Sequence, residues 1–330
     1  MELAGGAVLK TNSLLFNSKV CQLEFSPYEN TSDLLCIAFS DTTVIAKVKF
    51  KEEDYNQEKQ LECEILRVFN HPAVDTQVYS LAWNPKTSLS GLPQVLSFCS
   101  AETAEETHRL RVVDCDLSTS HVSQVLNGHT RFINSVTYDP NGWFLASASD
   151  DCSCKVWAIG EEYSLKTTFR LDSPGVAVCC HPEEPGRLLV AQKNGVVGLY
   201  NMDTERVVLW CDSLAPLMSA DWALANSCCV AAVAAGDLLL WDLATSSQPV
   251  ETWRLYGGGG QRVQFSRLSE QYIATAGQPD HQLKVTQADS NTPLLTLNLM
   301  TAGVFTWHHH LPYICVADYN VLYFHKILTT

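Results

Sequence analysis

Short runs of alternating apolar and polar residues, separated by clusters of Gly, Pro, Asn, Asp and Ser, recur along most of the chain. Alternation with a period of two is the pattern of a half-buried β-strand, and no stretch keeps the 3.6-residue period of a long amphipathic helix. The stretch from Gly128 to Trp157, GHTRFINSVTYDPNGWFLASASDDCSCKVW, shows the unit most fully. Ile133, Val136 and Tyr138 predict a first strand. Asp139 to Gly142 predict a turn, in which Pro140 fixes φ and Asn141-Gly142 tolerates a positive one. Phe144 to Ser149 predict a second strand, Asp150 and Asp151 a tight turn, and Cys154 to Trp157 a third strand.

Weaker copies of this unit fill the rest of the chain. Aligned on the large residue near the end of each first strand, they are marked by Phe25, Trp83, Tyr138, Cys180, Trp222, Phe265 and Trp307. The successive intervals are 58, 55, 42, 42, 43 and 42 residues, and the last four agree to within one. Pro27, Pro85, Pro140 and Pro182 follow four of the seven markers at the same distance. A unit of roughly 40 to 45 residues with a Gly-His start resembles the WD40 repeat, four strands to a blade. Seven copies imply an all-β, seven-bladed WD40 β-propeller occupying residues 1–330 as one domain. Inner strands are expected to start near residues 20, 78, 133, 175, 218, 262 and 304. The last blade runs out of chain before its outer strand. Ser13 to Asn17 can supply it, so the ring is expected to close by an N-terminal strand on the C-terminal blade.

Within that repeat, the resemblance implies a hydrogen-bonded tetrad of His129, Ser147, Asp151 and Trp157. Ser, His and Asp together also suggest a hydrolase triad. That chemistry needs the Ser beside an oxyanion hole in a cleft, whereas all four residues here fall inside one blade. The tetrad is therefore read as structural, and no catalytic residue is expected.

The two long intervals coincide with an acidic inter-blade insertion at residues 51–62, within KEEDYNQEKQLECE (Lys51 to Glu64), and with a long connection near Ala101 to His108. Both are expected to be solvated loops. Blade one keeps Asp41 in its Ser40-Asp41-Thr42 turn but has no obvious His. Gly257 to Gly260 resemble a phosphate cradle only in composition. No Gly-Lys-Ser/Thr follows, so a flexible loop is expected. His308, His309 and His310 are consecutive, and neighbouring side chains on extended chain diverge, so no metal site is expected. No cofactor is expected either.

A net charge of −14 in 330 residues disfavours direct nucleic-acid or anionic-lipid binding, and no Lys/Arg run offsets it. The thirteen cysteines are odd in number and lie mostly in apolar runs, which suits free thiols in a reducing compartment. The N-terminus lacks the pattern of a secretory signal. The longest strongly apolar run, Cys228 to Ala235, is too short to span a bilayer, so no membrane insertion is expected.

Stretches outside the generic repeat carry a more specific likeness. They are YSLAWNPKTSLSGLPQVLSFCSA (Tyr79 to Ala101), SPGVAVCCHPEE (Ser173 to Glu184) and VAQKNGVVGLYN (Val190 to Asn201), with PLMSADWALANS (Pro216 to Ser227) and LLLWDLATSSQP (Leu238 to Pro249). These resemble the family of 37-kilodalton WD-repeat nucleoporins, in order along nearly the whole chain. The resemblance implies a non-enzymatic scaffold subunit of the Y-shaped outer-ring complex at the nuclear envelope. Its implied partners are the 160-kilodalton nucleoporin, the largest subunit, and the other Y-complex subunits. Support of nucleocytoplasmic transport and a kinetochore location in mitosis are also implied. The alternative is a WD40 adaptor of another complex, such as a histone or peptide reader or a ubiquitin-ligase substrate receptor. Many such receptors carry Trp-Asp-x-Arg, but Ala244 and Gly160 stand where that Arg would be.

Overall fold

The computed structural model describes residues 2–3, 7–10, 13–50, 61–71, 76–90, 94–104, 106–117, 121–279, 281–301 and 303–327. Seven antiparallel sheets form the seven blades of a propeller, six with four strands and one with six. The inner strands are Gln22–Phe25, Gln77–Trp83, Ile133–Tyr138, Gly175–Cys180, Leu217–Trp222, Gly259–Phe265 and Val304–Trp307. Each blade then runs outward strand by strand, and each interface between blades is filled by side chains alternating off the two sheet faces. Among the described residues no helix is long and apolar enough to cross a membrane.

The seven marker residues occupy one structural position. Each pairs with an apolar residue at the start of its second strand: Leu35, Phe98, Leu145, Leu188, Val230, Ile273 and Ile314 in blade order. All but half-buried Cys180 are buried. The constant interval in the sequence is thus the constant return of the chain to the foot of the channel.

An inner strand has one unpaired edge, which would leave its amides without partners. Here the neighbouring blade supplies them. The amides of Val136, Val178 and Val263 donate to the hydroxyls of Ser80, Ser135 and Ser219 at 3.1, 3.1 and 3.4 Å. Phe265 N donates to Asp221 Oδ2 at 2.8 Å, and Phe25 N to Thr306 Oγ1 at 3.4 Å across the junction of first and last blades. The indoles of Trp83 and Trp307 donate to the carbonyls of Glu24 and Gln264 in the preceding blades.

The ring closes on the N-terminal segment. Ser13–Leu15 pairs with Val321–Lys326 as the fourth strand of blade seven, with Leu14 opposite Leu322. The closing strand is not the outermost one: Ala7–Lys10 and Glu2–Leu3 continue the sheet beyond it.

Two loops expected from the sequence are wholly or partly strand, and the acidic insertion enters a strand at its end. Ala101 to His108 lies almost wholly in a long hairpin of Leu96–Ala104 and Thr107–Cys115. Buried Glu102 makes this possible, because Arg111 Nε donates to its carboxylate at 3.1 Å with Nη2 in ion-pair contact at 2.9 Å, and Ser100 donates at 2.8 Å. Residues 51–60 of the acidic insertion lie outside the described residues, while Leu61–Asn70 is the outer strand of blade one. In the glycine run, Gly259 and Gly260 begin the inner strand of blade six and pair with Gln278 and Gly277. The run reflects close packing: a Cβ on Gly260 would stand 2.9 Å from Val233, and one on Gly277 would enter the Tyr256 ring.

Candidate functional site

Blade three holds the expected tetrad in one chain of hydrogen bonds. His129 Nδ1 lies 2.8 Å from Asp151 Oδ2 and its Nε2 lies 2.8 Å from Ser147 Oγ. Trp157 Nε1 donates to the same Oγ at 3.3 Å. Asp151 also accepts from Thr130 N at 3.0 Å and from the Ser153 hydroxyl. Burial works to raise the Asp151 carboxyl, but the bonds from His129, Ser153 and Thr130 outweigh it and hold it well below its ordinary value. The Ser147 hydroxyl is already engaged by both His129 and Trp157 inside a blade, so the geometry fixes the turn entering the inner strand to the second and third strands.

Blades six and two solve the same problem with different residues, and blades one and five leave it open. Tyr256 lies seven residues before Val263, as His129 lies seven before Val136. Its phenol meets Thr275 Oγ1 at 2.8 Å, and Thr275 pairs with Val263 as Ser147 pairs with Val136. Blade two uses the Ser100–Glu102–Arg111 network. In blade one, Ile37 occupies the serine position, and Asp41 is exposed, its carboxylate accepting from neighbouring Thr42 at 3.3 Å. His71 bonds Thr43 at 2.8 Å instead of completing a tetrad with Asp41.

Trp241, the tryptophan of the Trp-Asp dipeptide in blade five, illustrates the cost of a missing partner. Ala232 stands at the serine position, and the buried Trp241 Nε1 has no hydrogen-bond partner. Trp157→Phe is therefore expected to cost about 1 kcal/mol more than Trp241→Phe, because only Trp157 loses a bond with the indole. Paired denaturant melts of the two variants check this.

The histidine run proves to be a turn device. His308 follows the marker Trp307, as Asp139 follows Tyr138 and His181 follows Cys180. His308 Nδ1 accepts the amides of His310 and Leu311 at 3.1 and 3.0 Å; His181 Nδ1 accepts those of Glu183 and Glu184 at 3.1 and 2.9 Å. Asp139 Oδ2 accepts Asn141 N in the same way at 3.2 Å. Among the described residues no group of three His, Cys, Asp or Glu is placed to hold a metal. All thirteen cysteines are free.

An accepting Nδ1 requires a neutral ring, and burial lowers His308 to about 4. The folded value lies below the unfolded one of about 6.5, so the unfolded chain takes up the proton first as pH falls. This contribution is complete above about pH 6.5 and is lost progressively toward pH 4, to an extent of about 3 kcal/mol. Melting temperatures of wild type and His308→Asn, which keeps an acceptor that does not titrate, are expected to converge as pH is lowered through that window. The comparison cancels Glu24 and the other groups common to both proteins.

The propeller encloses a central channel with a cavity of about 880 Å³. In blades one to six its walls carry the residues one and three places before the markers, which form two layers. One sector is charged. Arg262 donates to Gln22 Oε1 at 2.6 Å and lies 4.0 Å from Glu24; Arg267 Nη1 donates to both Asp221 oxygens at 3.1 and 3.4 Å. Burial raises the Glu24 carboxyl to about 7 against the pull of Arg267 and Arg262. Elsewhere the lining includes the uncharged Ser80, Val136, Thr137 and Val178. The sequence analysis missed this sector. Its signal was charged residues among the polar ones that recur one or three places before a marker, Glu24, Asp221 and Arg262.

Comparison with known proteins follows the same outline. Residues 120–158 match the WD domain, G-beta repeat. Human nucleoporin Nup37 is 34% identical over 310 residues, covering 91% of this chain and 92% of the human protein. Mouse nucleoporin Nup37 is 34% identical over 309 residues with the same coverage. The Drosophila melanogaster protein of that name is 36% identical over 251 residues, or 76% of this chain and 77% of its own length.

Proposed function

This chain belongs to the Nup37 nucleoporin family, and from that premise we propose that it is a non-enzymatic scaffold subunit of the nuclear pore complex. Within the pore it belongs to the Y-shaped outer-ring subcomplex and docks on that subcomplex's largest subunit, a 160-kilodalton protein with a propeller and a helical solenoid. It thereby supports pore assembly and nucleocytoplasmic transport, and accompanies the subcomplex to kinetochores in mitosis. The observation that carries this reading is a likeness to human Nup37 that runs over 91% of this chain. A shared repeat alone would have matched one or two blades.

Physical features of the molecule agree with a platform. The tetrad of His129, Ser147, Asp151 and Trp157 ties blade three together and engages the Ser147 hydroxyl in doing so. Loops between blades expose Phe132, Leu214 and Met300 at the end of the propeller where chains enter the inner strands. Isolated apolar side chains on a rigid rim are suited to anchor a partner.

The test is affinity purification of the tagged chain from interphase cells, with mass spectrometry of what remains bound in moderate salt. Y-complex subunits are expected at near-stoichiometric levels, and the double variant Leu214→Asp, Met300→Asp is expected to reduce their recovery at least tenfold. Recovery of a ligase adaptor or of histones without nucleoporins would overturn the proposal.

A further inference from the structure

The charged sector of the channel contains more hydrogen-bond donors than its own acceptors engage. Arg267 spends Nη1 on Asp221, yet its Nε is buried and has no partner. His309, 8% exposed, turns toward the channel with Nε2 likewise buried and unpartnered. Gln264, 5% exposed, lies in the same wall with its Oε1 unpartnered. An amide's two ends are isosteric, so a half-turn brings the Gln264 NH2 into the channel instead. These three side chains come from blades six and seven; Gln264 and His309 are buried and Arg267 is 12% exposed and held by Asp221, so their positions are set by packing and by that ion pair.

The charge balance has the same sign as the donor excess. Arg262 and Arg267 are fixed cations in the sector. Asp221 is engaged by Arg267 and by the amide of Phe265. Among the described residues Glu24 has no closer ion pair than Arg262 at 4.0 Å, and burial drives its carboxyl toward the neutral form. Arg267 acts on both His309 and Arg262 to disfavour their charged forms, so the positive potential reaches across the sector. A buried guanidinium N–H without an acceptor is costly, and an anion bearing several oxygens satisfies it together with the imidazole N–H. A cavity of about 880 Å³ admits such a group together with its waters.

We infer that this sector of the channel, between Arg267, His309, Gln264 and Arg262, is a binding site for a small oxyanion, either a phosphate or a carboxylate. The anion accepts from Arg267 Nε and His309 Nε2 and faces Arg262. This inference concerns the propeller alone and does not depend on the pore assignment.

The test is thermal unfolding of the full chain in millimolar inorganic phosphate, in millimolar citrate, and in chloride at equal ionic strength. Concentrations this low leave general salt effects on burial unchanged. A raised melting temperature, by about 2–4 °C at saturation, is expected with at least one of the two oxyanions and not with chloride. A rise with phosphate alone assigns a phosphate, and a rise with citrate alone a carboxylate. Arg267→Lys retains a cation for Asp221 but loses the Nε donor, and His309→Phe fills the same space without an N–H. Both are expected to lose most of the rise. No rise in wild type overturns the inference. So does a rise of equal size in both variants, which would mean an adventitious ion only.

Discussion

Removal of residues 1–17 is expected to lower the stability of the whole propeller by about 5 kcal/mol or more. Leu14 is fully buried, and Phe16 packs against Phe39 with ring centroids 5.1 Å apart. Each large apolar side chain lost from a core costs about 2–3 kcal/mol. The truncation also removes the pairing of Ser13–Leu15 with blade seven, and the bonds of Phe16 N to Asn320 O at 2.9 Å and of Asn320 Nδ2 to Phe16 O at 2.8 Å. Blade seven would keep three strands, and its third strand would expose an unpaired edge. The contact is special because it is also the closure of the ring: chain preceding blade one completes the last blade. Differential scanning calorimetry of the truncated and full chains measures the effect. A large fall in melting temperature with loss of cooperativity is expected, and an unchanged melting temperature would contradict closure at this strand.

The second large effect is expected at Asp151. Replacing it with Ala removes the acceptor for His129 Nδ1, Thr130 N and the Ser153 hydroxyl together, at a cost of about 3 kcal/mol. Asp41 occupies the same turn of blade one but is exposed, its carboxylate accepting from Thr42, so Asp41→Ala is expected to cost less than about 0.5 kcal/mol. The pair separates a buried network from a turn residue of the same type. The sign with pH also follows. The Asp151 carboxyl is held below its ordinary value in the folded state. Its contribution is present above the unfolded carboxyl's range, about 3.9, and is lost as pH falls below it. Urea melts at pH 7 check the stability difference, and equal losses at Asp151 and Asp41 would refute the network's role.

What the sequence made legible follows from which constraints are periodic. Every blade must return to the channel at one register, so Phe25 through Trp307 could be aligned on the residue near the end of each first strand, with the last four intervals agreeing to within one residue, and the structure places them at one position. The full tetrad was readable because blade three keeps all four residues. Substitutes were not readable, because the physical requirement is for a satisfied buried polar chain rather than for particular residues. Tyr256 with Thr275, and Ser100 with Glu102 and Arg111, meet that requirement with residues that belong to no repeat pattern. Glu102 also shows why a loop was expected where strands run. An acidic residue in a stretch such as Ala101 to His108 reads as solvated until Arg111, nine residues later, is known to lie opposite it. His308 likewise resembled a candidate ligand until its position after Trp307 made it the counterpart of Asp139. The charged channel sector joins Gln22 and Glu24 to Arg262, a separation in sequence that no local pattern reveals.

The proposed role stands or falls on direct contact with the largest Y-complex subunit. The measurement is size-exclusion chromatography with light scattering on the purified full chain mixed with that purified subunit. One complex with a mass equal to the sum of the two proteins is expected, persisting in moderate salt. Separate elution of the two at micromolar concentration, with both folded, would contradict docking on that subunit.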